Sequence, residues 1–441
     1  MKTRLFCLVL LVIAFISSAN TWKEDELVKA VSLSRIAVSE NDAEAKAAIA
    51  ELRQMGPAGM QTILATHADK IKAFMETGEK TPEWLKLAAA LDAVSMQKDS
   101  YASGLYWYTD LEKAKAEAQK TGKPILSLRL LGNLNEELSC ANSRFFRTAL
   151  YPNKEISAML RDRFVLHWQS VRPAPRVTID FGDGRKMETT LTGNSIHYVL
   201  DSRGKVIDAI PGLYGPDAFK QLLYQAEGAF NSLKFAGPEI KQSAIANIQT
   251  RYFSDRLQTI DENWSNDLKA AKIALEKDLP AAPNGISVSY VSAITASFRA
   301  MSKVAVEAKI IPVTVMQNRL TVLEKQTDLD KWKRLAELRQ RESVLDENSR
   351  AFIRRKLGIK GAELDKLVKQ FEQNLALDTV RNEYLFHTKL YTWLQEGAGE
   401  DLNKFNEKIY AELFLTPSAD PWLGLYAPEI YNGIENSGIS K

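Results

Sequence analysis

The stretch that most restricts the fold of this chain runs from Thr109 to Trp168, where the hydrophobic period changes repeatedly. Thr109 and Glu112 stand at capping-box spacing, and Leu111, Ala114 and Ala118 recur on one face of the helix that would follow. Gly122 and Pro124 close that helix, and Ile125–Leu131 (ILSLRLL) has the length and composition of a buried strand. A short polar loop leads to Cys140, placed to open the next helix. Phe145, Phe146 and Ala149 continue it until Pro152-Asn153 interrupts. Asn153 is positioned to cap a further segment carrying Ile156, Met159 and Leu160. From Phe164 to Trp168 a strand is expected, with Phe164, Leu166 and Trp168 on one face and Val165 and His167 on the other.

The pattern extends in both directions. Upstream, SGLYWYT is aromatic and strand-like. Downstream, Pro173 and Pro175 begin an irregular link, and VTIDFGDGRKMETTL (177–191) alternates about Asp183-Gly184 as a β-hairpin does. Ile196–Leu200 and Val206–Ile210 are strands joined by a turn at Ser202–Gly204. Gly212 ends the second, and Pro216–Phe230 is a closing helix. Together these elements predict an α+β unit, a mixed sheet covered by helices, over 101–234.

On either side the periodicity is helical. From Trp22 to about Ser100, AIAELRQMGPAGMQTIL resembles one helical hairpin of the HEAT type, with Gly56-Pro57 as its break and Met60–Ile71 as its second arm. A single such unit cannot bury its own face, so 20–100 is expected to cap the neighbouring domain rather than stand as a separate binding module. Beyond Phe235 the reading is all-α to the end of the chain (235–441). Helices are expected at Ser287–Ile310, Leu329–Glu342, Ser349–Lys356, Ala362–Gln373 and Thr379–Gln395. The charges of WKRLAELRQRE read as a solvated face. The tail FLTPSADPWLGLYAPEIYNGI is expected to clamp the domains with Trp422 inserted; peptide binding is its alternative role.

The chain opens MKTRLFCLVLLVIAFISSAN, a basic start, an apolar run and small residues at a cleavage position. This predicts a secretory signal over 1–19, and hence a periplasmic or secreted product with no transmembrane segment in the mature chain. Of the two cysteines Cys7 would leave with the leader, so Cys140 is the one that remains and no internal disulfide can form. With 58 basic and 55 acidic residues the net charge is +3, which gives no electrostatic mandate for nucleic acid.

The region Leu105–Leu223, and more loosely residues 105–230, resembles the thioredoxin-like superfamily, in particular secreted members with a helix broken after the cysteine. The resemblance is carried by DLEKAKAEAQKTGKPILSL, Cys140, NKEISAMLRDRFVL and IHYVLDSRGKVIDAIPG. It implies a thioredoxin-like mixed sheet, and a thiol at a helix start, where partial positive charge favours thiolate. Cys140-Ala141-Asn142-Ser143 is C-x-x-S: the attacking position is filled and the resolving one, Ser143, is a hydroxyl. Ser139 as cap, with Arg144 and Arg147 nearby, would favour the thiolate further. The chain departs from the family in two places. Ser195 or Ile196 stands where a cis-proline is usual, and Leu126–Leu130 lacks the buried carboxylate. Proton transfer would then fall to Asn194, Ser195, His197 or water.

Two functions of different classes follow. One is monothiol thiol–disulfide exchange, with Cys140 engaging a protein or a low-molecular-weight thiol or disulfide and an outside thiol releasing it. The other is a non-catalytic binding or scaffold protein, in which Cys140 is a buried small hydrophobe. A peroxidase ranks behind both for want of a resolving cysteine. His67, His167, His197 and His387 lack metal-ligand spacing, Asp180 and Asp183 read as turn residues rather than a calcium loop, and no cofactor motif stands out.

Overall fold

The computed structural model describes residues 24–190, 193–235, 242–273, 329–414, 416–422 and 435–439. The expected leader and the expected helix Ser287–Ile310 lie outside them.

Five helices form the N-terminal part: α1 (Glu24–Ile36), α2 (Asp42–Gln54), α3 (Pro57–Thr66), α4 (Ala68–Thr77) and α5 (Pro82–Ser95). The Asn41 side chain caps α2, accepting from the Ala43 and Glu44 N–H groups. The arm expected over Met60–Ile71 divides at His67, whose Nε2 lies 2.8 Å from the Ser34 carbonyl. These helices enclose their own apolar cluster. At its edge Phe74 stacks on Trp84 at 3.8 Å, and Tyr101 meets both rings edge-on at 5.2 Å.

The aromatic stretch after α5 forms no regular strand. Ser100–Ala102 is a 3₁₀ turn, and only Tyr108 makes an isolated bridge, to His167. The reason is that its polar groups tie the helical part to the sheet. Trp107 Nε1 donates to Gln97 Oε1 at 2.9 Å, and Arg53 donates to the Val94 and Trp107 carbonyls, each at 2.9 Å. The next helix, α6 (Leu111–Thr121), is capped by Asp110 instead of Thr109. Asp110 Oδ1 accepts from the Glu112 and Lys113 N–H groups at 2.9 and 3.3 Å, and Thr109 Oγ1 is engaged by Arg53. A carboxylate at that end also gains from the helix dipole. Gly122, in the left-handed conformation at φ 67°, closes α6.

The sheet has the order β2-β1-β5-β6, with β1 Ile125–Leu131, β2 Val165–Arg172, β5 Ser195–Leu200 and β6 Val206–Pro211. β1 and β2 are parallel; β5 is antiparallel to β1, and β6 to β5. Every residue of β1, β5 and β6 is buried, because helices cover both faces, and such strands read as unbroken apolar runs. Between β1 and β2 lie α7 (Ala141–Phe145) and α8 (Lys154–Arg163), the latter capped by Asn153. The expected hairpin is present as β3 (Arg176–Asp180) and β4 (Lys186–Thr190), a two-stranded sheet of its own. Asp180 and Asp183 accept from the N–H groups of Gly182 and Arg185, which accounts for both acids as turn formers.

The remaining helices are α9 (Pro216–Phe235), α10 (Gln242–Ala270), α11 (Leu329–Leu338), α12 (Glu347–Leu357), α13 (Ala362–Arg381), α14 (Thr388–Gln395) and α15 (Leu402–Lys408). They share one continuous apolar cluster with the sheet, running from Leu105 to Phe414. Arg339, expected on a solvated face, pairs with Asp267 at 3.2 Å and donates to the Tyr384 hydroxyl at 2.9 Å. Trp422 is not inserted: 45% of it is exposed. The tail is held by polar contacts instead. The Arg172 guanidinium donates to the carbonyls of Thr416, Pro417 and Asp420 at 2.5, 3.1 and 3.3 Å.

Among the described residues three helices run on into π-turns, at Phe146–Leu150, Asn382–His387 and Ile409–Leu413. A π-turn inserts an extra residue and re-aims the side chains around it. Here Tyr151, His387 and Tyr410, within or just after these turns, all reach the sheet.

Candidate functional site

Cys140 follows β1, its N–H donating to the Leu131 carbonyl at 3.1 Å, and it occupies the N-cap of α7. The placement expected from sequence holds, and the structure decides the exposure that the sequence left open. The residue is 0% exposed and belongs to the main apolar cluster. Its Sγ–H points to Ser143 Oγ at 3.5 Å, and that hydroxyl lies 2.6 Å from Ser139 Oγ and 2.8 Å from the Cys140 carbonyl. Ser139 therefore does not cap the helix. Its Oγ accepts from Arg147 at 3.2 Å, and its carbonyl accepts from Thr190 Oγ1 at 3.1 Å, at the root of the β3–β4 hairpin. Arg147 is buried as well, paired with Asp99 at 3.7 Å. α7 proper has only five residues, so the dipole that the thiolate expectation relies on is short.

The other expected site residues are committed to structure. Asn194 Nδ2 donates to Thr416 Oγ1 at 3.1 Å, and its carbonyl accepts from the Tyr410 hydroxyl at 3.3 Å. The C-terminal segment thus packs against the start of β5. Ser195 opens β5 opposite Leu130, is fully buried, and its Oγ has no partner among the described residues. The peptide bonds here are trans. His197 does not engage Cys140. Its Nε2 lies 2.9 Å from the Tyr151 hydroxyl, and its ring packs on Phe146 and Phe219. Tyr151 stands within electrostatic reach of the sulfur, and burial pushes its phenol well above the ordinary value.

Burial pulls the His197 imidazole down to about 3. His167, which shares a 2.8 Å contact with Ser127 Oγ, is also pulled to about 3, by burial and then by the Arg129 charge. Both rings stay neutral in the folded chain, whereas in the unfolded chain each binds a proton below about pH 6.5. Stability is therefore expected to fall as pH drops from 6.5 toward 3, by up to about 1.4 kcal/mol per pH unit for each ring. Chemical denaturation across that range measures the slope, and His197→Gln should remove one ring's share.

Sequence reasoning missed two polar sets. On one face of the sheet, Ser127 and Arg129 of β1 align with His167 and Gln169 of β2 and Tyr198 of β5. Arg129 is buried, and its Nη1 donates to Gln169 Oε1. The second set joins β6 to the C-terminal helices. His387 Nε2 lies 3.1 Å from the Ala209 carbonyl, and its Nδ1 lies 3.0 Å from Glu383 Oε2 and 3.1 Å from the Tyr214 hydroxyl. Glu383 faces Arg256 at 3.7 Å, and Asp208 accepts from the Tyr252 hydroxyl at 2.5 Å. Burial alone would raise Glu383, but His387, Arg256 and Arg339 hold its carboxyl below the ordinary value. For Asp208 burial wins: its carboxyl is raised despite the Tyr252 hydrogen bond and the His387 and Arg256 charges. A single Arg inside ILSLRLL was the one sequence signal for the first set; nothing local marks the second.

Among the described residues no group of three or more His, Cys, Asp or Glu gathers as a metal site, and no helix is long and apolar enough to cross a membrane. Comparison with family models, with curated proteins and with solved structures returned no match.

Proposed function

We propose that this chain is a non-catalytic binding or scaffold protein, secreted or periplasmic, in which a thioredoxin-like sheet serves as a frame and the helical layers present the contact surface. The observation that carries this reading is the burial of Cys140 in the apolar cluster, hydrogen-bonded to Ser143. A thiol without access to solvent cannot meet a partner disulfide, and such a cysteine behaves as a small hydrophobe. The thioredoxin-like part of the reading is supported by the strand order β2-β1-β5-β6, by the pairing senses, and by the cysteine's place directly after β1. Secretion is supported by the leader-like first 19 residues.

Monothiol exchange through Cys140 and Ser143 is the second reading. Its support is the sulfur's position at the cap of α7 with a hydroxyl 3.5 Å away, and it requires an opening of the structure that uncovers the sulfur. Pull-downs with wild type and Cys140→Ser separate the two readings. Binding by the helical layers predicts unchanged partner capture and no covalently trapped species. Loss of reducible, trapped partners in Cys140→Ser alone would establish exchange instead.

A further inference from the structure

Three arginines in the described residues are deeply buried: Arg129, Arg147 and Arg256. Two face a carboxylate at 3.7 Å, Arg147 toward Asp99 and Arg256 toward Glu383. Arg129, 3% exposed on the central strand, has no carboxylate partner among the described residues; the groups that act on its charge are the Tyr198 and Tyr410 phenols. A buried cation without a counter-ion is costly and uncommon, because its lost hydration is not replaced.

The vacant donors have a definite shape. Nη1 is taken by Gln169, whereas Nε and Nη2 have no partner among the described residues. Those two nitrogens form the side-on edge of the guanidinium, whose parallel N–H bonds match two oxygens of one oxyanion. Gln169 is exposed, so the site borders solvent on that side. The strand register sets Arg172 against Leu131, on the face Arg129 occupies.

We propose that Arg129 anchors a binding site for a small oxyanion, a carboxylate or phosphate group held side-on by Nε and Nη2 on the polar face of the sheet. This does not depend on the role of Cys140. The anion supplies the counter-charge that Asp99 and Glu383 supply to the other two arginines.

Calorimetric titration of the full chain with acetate, succinate or inorganic phosphate, against chloride at matched ionic strength, tests it. Saturable binding is expected, weakened at least about tenfold by Arg129→Lys, which keeps the charge and loses the fork, and abolished in Arg129→Met. The carboxylate and phosphate arms tell which head group the site takes. The ¹⁵Nε resonance of Arg129 in the wild-type chain, shifting with the same saturation, gives a readout that needs no variant to fold. No response beyond chloride, or equal responses in wild type and Arg129→Lys, would mean that the free edge carries only water, and the proposal fails.

Discussion

Glu383→Leu is expected to lower the unfolding free energy by about 3–5 kcal/mol, the usual cost of leaving a buried cation without its partner. Arg256 would lose its ion-pair partner and keep the Tyr391 ring and hydroxyl, and His387 would lose the carboxylate at its Nδ1. Glu383→Leu combined with Arg256→Met should recover much of that loss, since removing both members of a buried pair is often close to neutral. A double-mutant cycle by chemical denaturation gives the coupling directly; additivity within about 0.5 kcal/mol would show that the pair contributes no interaction of its own. The pH dependence has a definite sign. Because the folded carboxyl sits below its ordinary value, its contribution is complete above the unfolded-state pKa and fades as pH falls through the folded one.

Native Cys140 is expected to react with a thiol reagent at least about a thousandfold more slowly than in denaturant, because the sulfur must first be uncovered by an opening of the structure. Two openings can be told apart. Arg172 donates to three carbonyls of the C-terminal segment, and for this partly exposed guanidinium the set is expected to contribute about 2–3 kcal/mol in all. If that segment is the cover, Arg172→Ala should speed labelling by about 30- to 100-fold while the unfolding rate stays put. If labelling in Arg172→Ala still follows global unfolding, the cover is the core itself and the exchange reading loses its route. Fast labelling of the wild-type chain would contradict the burial outright.

Much of the chain was legible from local pattern. Ile125–Leu131 is a strand with the expected bounds, Asn153 caps its helix, Gly122 ends another, and the hairpin turns about Asp183-Gly184. Each of these is decided within a few residues, by hydrophobic period, side-chain caps or the freedom of glycine at positive φ. The errors share one cause. Thr109 yields its cap to Asp110 because Arg53 binds it, the segment around Trp107 ties the helices instead of extending the sheet, and Trp422 stays at the surface. In each case a partner many residues away outweighs a local preference.

The sequence by itself determined the strands of the sheet and several helix ends, and that a lone cysteine would stand between a buried strand and a short helix. Only the tertiary structure decided which polar atoms are withdrawn from water and which of them find partners. It buries the sulfur within electrostatic reach of Tyr151, gives Arg256 its acid, and leaves one buried edge of Arg129 without a partner among the described residues. Burial and charge pairing are sums over neighbours brought together by folding, so no window along the chain contains them.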